Sequence, residues 1–371
     1  MFLSESITQA ERRVYDRPFN LTDGHLIAQM NNDMMVAVER FPEIYNRATR
    51  CVQDELELSF VREFASVNGQ RPEDLKNVQF CSSASSAIEI VANVLRVEDI
   101  KVHLIEPCFD NIADILRRNS VQVEPVSEGE VLKLATELYQ NGDQTGEEKA
   151  LFLVLPNNPT GWSLSEKEFR YVSRQCAESG SPLIVDFSFR PYSDMCAWDQ
   201  YTILNEEGVE YLAIEDTGKT WPTRELKIGL IVSSSLFRGT VDRIHSDFVL
   251  KLSPVLVKLL TEIIRRGGFE WIDTLRNMIA ENRGVVRKRF REMGLVSDSY
   301  GKVPVEWMRS KNRSGVGVAR SCMRGGVNLL PGDRFFWSRD SVSKHIRISL
   351  ARETKMIESA MDRLSGTASG D

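Results

Sequence analysis

Lys219 stands in the string AIEDTGKTWPTRELKIG, residues 213–229, in a glycine-containing turn just after an apolar run of strand character. An amine held there can be partly desolvated, which makes a lysine nucleophilic near neutral pH, although a lone lysine in a loop is more often a solvated surface residue. Asp186 closes a second apolar run, PLIVDF at 182–187. A carboxylate at the end of a buried strand is costly unless a cation meets it, and both a structural ion pair and a functional cation satisfy that demand. In FCSSASSAIEI, residues 80–90, small hydroxyl residues lead into an apolar-periodic helix. The free N–H groups around Ser83, Ala84 and Ser85, with the serine hydroxyls, suit a phosphate, although the same pattern serves as a plain helix cap. LPNNPTGWSLSEKEF at 155–169 sets Asn-Asn-Pro-Thr-Gly between a strand and a helix that Ser163 or Ser165 caps. A turn needs only one Asn or Pro, so this string, with Asn158 in it, is the most specific short motif in the chain.

These groups work together only if one scaffold gathers them. Apolar runs at 102–107, 150–156, 182–187, 211–216 and 228–234 alternate with amphipathic stretches such as SEKEFRYVSRQCAESG. Strands apolar throughout and separated by helices imply a largely parallel sheet covered on both faces, and such sheets bind ligands beyond the carboxyl ends of their strands. The expected class is α/β. A large domain is expected over 35–275 and a smaller α+β domain over 276–371, where a helical IDTLRNMIAENRGVVRKRFREM precedes short strand candidates around VEWMR and HIRISLA. Residues 1–34 are polar and rich in turn signals and are expected to fold against one of the two.

The bulk numbers narrow the partners. A chain of 371 residues with 42% apolar and 27% charged residues has globular composition and room for two domains. A net charge of -6 argues against nucleic acid, which needs a basic face, and favours a small polar metabolite. The six cysteines include no CxxC pair and read as reduced thiols, and none of the four histidines lies four residues from another, so no metal site is expected. No signal peptide and no membrane span are visible, and the expected location is the cytoplasm.

In this order, the Ser-rich helix start, NNPTG, strand-end Asp and Lys resemble the fold-type I pyridoxal-phosphate (PLP) enzymes of the class I/II aminotransferase superfamily. The resemblance implies a Schiff base on Lys219, a contact from Asn158 to the cofactor phenolate oxygen, Asp186 on the pyridine nitrogen and Phe109 of EPCFDN stacked on the ring. It further implies that Arg347 of HIRISLAR binds the substrate α-carboxylate, and that the enzyme is a homodimer. VNLLPGDRFF at 327–336 is similar to a segment of the family's small domain. Departures stand beside these matches. The family's Asp-x-x-Tyr is here Asp186-Phe187-Ser188-Phe189, with Ser188 as the replacement hydroxyl, and Lys227 stands where an Arg usually meets the phosphate.

ITQAE at 7–11, NLTDGH at 20–25, FDNIAD at 109–114, DFSFR at 186–190 and EDTGKTWPT at 215–223 are similar to a smaller subgroup of specialised metabolism. Its members are arginine-acting PLP oxidases, hydroxylases and desaturases, and cyclases of hydroxyarginine. That resemblance implies that residues 1–34 cover the active site, that Thr8, Glu11 and Asp216 hold a guanidinium, and that His25 lies over the cofactor as an acid/base or water-positioning group. Thr8 and Glu11 read equally as first-turn helix residues, and His25 as a turn residue. The implied reaction passes through external aldimine and quinonoid intermediates to O2-dependent oxidation and deamination of L-arginine or a hydroxyarginine. Cyclisation of γ-hydroxyarginine and ordinary transamination remain open beside it.

Overall fold

The computed structural model describes residues 5–141, 148–338 and 342–365. Among them the strands are, in chain order, β1 (Phe19–Asn20), β2 (Val78–Cys81), β3 (Lys101–Glu106), β4 (Val123–Ser127), β5 (Lys149–Val154), β6 (Leu183–Asp186), β7 (Tyr211–Asp216), β8 (Gly229–Ser233), β9 (Leu295–Ser297), β10 (Val305–Ser310), β11 (Val327–Asn328), β12 (Leu330–Pro331) and β13 (His345–Ser349). The central sheet has seven strands in the order β2-β8-β7-β6-β5-β3-β4. It is mostly parallel, as its apolar runs imply; β8 alone runs against both of its neighbours. β6, β7 and β8 bury every residue because helices cover both faces. β4, at the edge, exposes Glu124 and Pro125, and an edge is where a sheet tolerates proline.

Register gathers the chemistry. Cys81 faces Gly229, which faces Asp216; Val154 faces Asp186, which faces Ile214. One end of the sheet therefore holds the carboxyl ends of β2, β3, β5, β6 and β7 and the amino end of β8. Gly229 permits a close approach there, since a Cβ would lie 2.4 Å from the Ser83 carbonyl carbon and 2.8 Å from the Ala84 nitrogen. The start of the helix Ala84–Val97 is thus pressed against the strand ends.

A second, antiparallel sheet has the order β12-β13-β10-β9. β1 pairs in parallel with β11, the Ser349 N–H donates to Leu21 O at 2.8 Å, and the Ile27 N–H donates to Ala351 O at 3.0 Å. These bonds stitch residues 19–27 to the C-terminal part of the chain. The helix Pro254–Glu292 lies between β8 and β9 in the chain, passes through residue 275, and kinks at Gly268, whose φ of 53° and ψ of -156° suit only glycine. No helix among the described residues is long and apolar enough to cross a membrane.

The far half of that helix is clamped to β10 through Glu306, which is fully buried. Its carboxylate accepts from Arg283 Nη1 and Ser297 Oγ, and from Arg287 Nε at 2.7 Å. Removing one partner of a buried pair leaves the other charge stranded, so Glu306→Ala is expected to cost about 3–5 kcal/mol of folding free energy. Urea denaturation of the two proteins measures it; a change below about 1 kcal/mol would mean that solvent reaches Arg283 and replaces the carboxylate.

Candidate active site

Asp186 ends β6 and is buried. Its Oδ1 accepts from Ser188 N at 2.8 Å and Ser188 Oγ at 2.5 Å. Burial pushes its carboxyl pKa up, against the pull of those hydrogen bonds, and among the described residues no cation lies within ion-pair distance. The Ser188 hydroxyl, expected as the replacement for the missing Tyr hydroxyl, thus donates to Asp186 in this structure. A short side chain two residues beyond an Asp closes back on it, whereas a Tyr reaches away. Phe189, at the Tyr position, is buried and packs beside Gly24.

Lys219 sits in the turn between β7 and β8. Asp216 Oδ1 accepts from Gly218 N at 2.7 Å, Thr217 Oγ1 from Ile228 N at 2.8 Å, and the Lys219 carbonyl from the Tyr192 hydroxyl at 2.5 Å. This backbone is pinned while the side chain is left to reach out. Its Nζ lies 3.3 Å from His25 Nε2, and Lys227 Nζ lies 3.5 Å from the same nitrogen. Lys227 is also paired with Glu225 at 3.0 Å. The Lys219 charge, then burial, lowers the His25 pKa below its usual value, so the imidazole is neutral near pH 7.

His25 is held by its backbone. Asp23 Oδ1 accepts from His25 N at 3.1 Å and lies 3.6 Å from Nδ1, outside hydrogen-bond reach. Arg352, 2% exposed, pairs with Asp23 at 2.8 Å and donates to Asn20 O at 3.0 Å and His25 O at 2.8 Å. Burial works against the Asp23 carboxylate, yet the His25 ring and Arg352 hold its pKa well below the usual range. Residue type and spacing mark neither Asp23 nor Arg352, although they flank singled-out residues in NLTDGH and HIRISLAR.

Arg347, on β13, is buried beneath this loop. It donates to Asn158 Oδ1 at 3.2 Å and to Thr22 O, and pairs with Glu11 Oε1 at 2.6 Å. Its guanidinium lies 5.8 Å from the centre of the Phe109 ring. Of the group expected around a guanidinium, Glu11 is thus on Arg347, Asp216 is spent on the Gly218 turn, and Thr8 is exposed. No hydrogen bond or ion pair joins the trio: Glu11 and Asp216 have nearer partners, and Thr8 is exposed. At the helix start beside Gly229, Ser83 caps the helix Ala84–Val97 through Ser86 N, and Ser85 Oγ accepts from Asn111 Nδ2 at 3.1 Å.

Further residues hold these groups in place and were not legible beforehand. Asp110, 2% exposed, accepts from Ile7 N at 3.0 Å and docks the short helix Ile7–Arg13. Glu128 accepts from Asn157 Nδ2 at 2.7 Å and from Thr160 Oγ1, while the same Asn157 amide donates to Pro107 O at 2.6 Å. The Asn157 amide thereby ties the Asn158 loop to the loop that carries Phe109, and Glu128 ties it to the segment that follows β4.

Residues 45–364 match the family model described as aminotransferase class I and II. Histidinol-phosphate aminotransferase 2 of Archaeoglobus fulgidus is 23% identical over 260 residues, 69% of this chain and 70% of the relative. A structure of MppP soaked with the product 2-ketoarginine is similar with a TM-score of 0.85 and 32% identity, covering 94% of this chain and 99% of that one. LysN, the alpha-aminoadipate aminotransferase of Thermus thermophilus, shares the fold with a TM-score of 0.79 at 16% identity, covering 99% and 95%.

Proposed function

This chain belongs to the class I and II aminotransferase family, and from that premise we propose that it acts on free L-arginine or a hydroxyarginine. It is a pyridoxal 5'-phosphate enzyme that transforms an amino acid. The reaction in this reading is O2-dependent oxidation with loss of ammonia, giving a 2-oxo or unsaturated guanidino acid.

The residues at the strand ends fit the cofactor. Asp186 is a buried carboxylate in want of a cation, which a protonated ring nitrogen supplies. The helix start at Ser83, Ala84 and Ser85, with the Lys227 ammonium, suits a phosphate. Phe109 offers a ring face, and Asn158, whose Oδ1 is taken by Arg347, keeps its Nδ2 to donate. What the bound cofactor supplies is a sink for the electron pair left at Cα.

In this reading Lys219 takes the Cα proton, and Arg347 receives the α-carboxylate in a bidentate pair. Neutral His25, 3.3 Å from the Lys219 amine, holds a proton or a water on the face that the N-terminal segment covers. Glu11 and Asp216, with Thr8 at the rim, attract a guanidinium and repel an acidic side chain. The amino acid is the small-molecule partner, and a homodimer is the proposed assembly.

The observation that carries this reading is that Glu11 and His25, which lie outside the 45–364 region matched by the family model, touch Arg347 and Lys219. MppP, 32% identical and soaked with its product 2-ketoarginine, adds support for arginine. Ordinary transamination is the second reading, favoured by the likeness to histidinol-phosphate aminotransferase. The test incubates the holoenzyme with single amino acids, with and without O2 and with and without a 2-oxo-acid acceptor. Oxygen-dependent ammonia release from arginine is the expected result. Strict need for an acceptor would restore the aminotransferase, and oxygen-independent water loss from γ-hydroxyarginine would identify a cyclase. Preference for aspartate, leucine or phenylalanine would end the arginine reading.

A further inference from the structure

Arg347 already holds a carboxylate. The residue is 1% exposed, and Glu11 Oε1 sits 2.6 Å from its Nη2 while Asn158 and the Thr22 carbonyl take the neighbouring donors. Its Nε has no partner among the described residues. The α-carboxylate of an amino acid would make the same kind of contact with this guanidinium. Glu11 therefore stands where the substrate's carboxylate is to go, at the moment when it is also needed by the substrate's other end. It cannot simply be turned out. Burial pushes the Glu11 carboxyl pKa up, with Arg347 the foremost group opposing it, so a displaced Glu11 needs another cation to remain charged.

We propose that Glu11 is an exchangeable resident carboxylate: the substrate's α-carboxylate displaces it from Arg347, and the displaced Glu11 is satisfied only by a cation at the substrate's far end. The proposal rests on the substrate reading above and gives that reading a mechanism of selection. An amino acid with a neutral side chain gains Arg347 but strands Glu11. A guanidinium without a carboxylate finds Glu11 already engaged. Only a molecule carrying both groups turns one buried ion pair into two. The swap needs little movement, because the helix Ile7–Arg13 stays docked at its first turn by Ile7 N to Asp110 Oδ2 at 3.0 Å and by Arg334 Nε to Glu5 O at 3.0 Å, whereas Glu11 lies in its last turn.

The test is calorimetric titration of holoenzyme, without O2 or acceptor, using L-arginine and L-norleucine on wild type and Glu11→Gln. The amide still accepts from Arg347 but leaves no charge to strand. Exchange predicts opposite effects: arginine binds about tenfold or more weakly to the variant, and norleucine about tenfold more tightly. Arginine weakened with norleucine unchanged or also weakened overturns the exchange and leaves the arginine reading intact. Wild-type protein that binds norleucine as tightly as arginine overturns both. A measurement that needs no variant accompanies it, in which trypsin cleavage after Arg12 and Arg13 is followed at saturating ligand. Norleucine should speed cleavage and arginine should slow it, and equal protection by the two overturns the exchange.

Discussion

Lys219→Ala loses the visible absorption band of the bound cofactor and lowers turnover by about 10⁴-fold or more, to background. The fold should survive, because among the described residues the polar contact of the Lys219 side chain is the 3.3 Å one with His25 and the turn is pinned by Asp216, Thr217 and Tyr192 through backbone groups. A melting temperature within a few degrees of wild type checks that part. The competitor is close at hand. Lys227 brings a second amine to the same His25 nitrogen, at 3.5 Å, but its 3.0 Å pair with Glu225 commits it to the role of a charge. Borohydride reduction followed by peptide mapping separates the two lysines. An adduct mapped to Lys227 in the wild-type protein would reassign the Schiff base.

Asp186→Asn is expected to lower kcat by about 10²–10³-fold, the scale on which a group aimed at developing charge contributes. Asn keeps an oxygen for the Ser188 N–H and hydroxyl, which both bond Oδ1, so β6 and its turn stay in place. In the proposed reading what is lost is the anion that holds a proton on the ring nitrogen. A cofactor analogue methylated at that nitrogen carries a fixed positive charge and should restore a large part of the lost rate in the variant. Failure of the analogue to rescue, with normal binding of it, would show that Asp186 acts by positioning instead.

Strands buried on both faces declare themselves in sequence. YLAIED at 211–216 coincides with β7, and the runs at 102–107, 150–156, 182–187 and 228–234 each fall within two residues of β3, β5, β6 and β8. β4 gave no such signal, because it exposes Glu124 and Pro125 and has no unbroken apolar run. The long helix begins at Pro254, well before the helical pattern read from residue 272. The Gly267-Gly268 pair has the look of a stop, but the chain kinks there and continues.

At the site, Lys219, Asp186, Asn158 and Ser83 were legible because residue type and strand-end position coincide. Their partnerships were not, since Arg347 meets Glu11, Thr22 and Asn158 across most of the chain and no local pattern encodes such a meeting. Asp110 illustrates the same limit. It reads as an ordinary first-turn helix residue, and its bond to Ile7 exists only once the two ends of the fold meet.

The stitching of residues 19–27 to the C-terminal sheet has a mechanical corollary. His25 is carried by β11, β13 and Arg352, while Lys219 is carried by β7 and β8. The 3.3 Å gap between ring and amine is therefore a gauge mounted across two separate frames. A displacement of one frame on the other would change that gap, whereas Asp186 and the helix start at Ala84 both sit on the frame of the seven-stranded sheet. In the proposed reading Lys219 and the groups that grip the cofactor thus share one support, while His25 hangs on the other, and a strain that moves His25 need not loosen the cofactor.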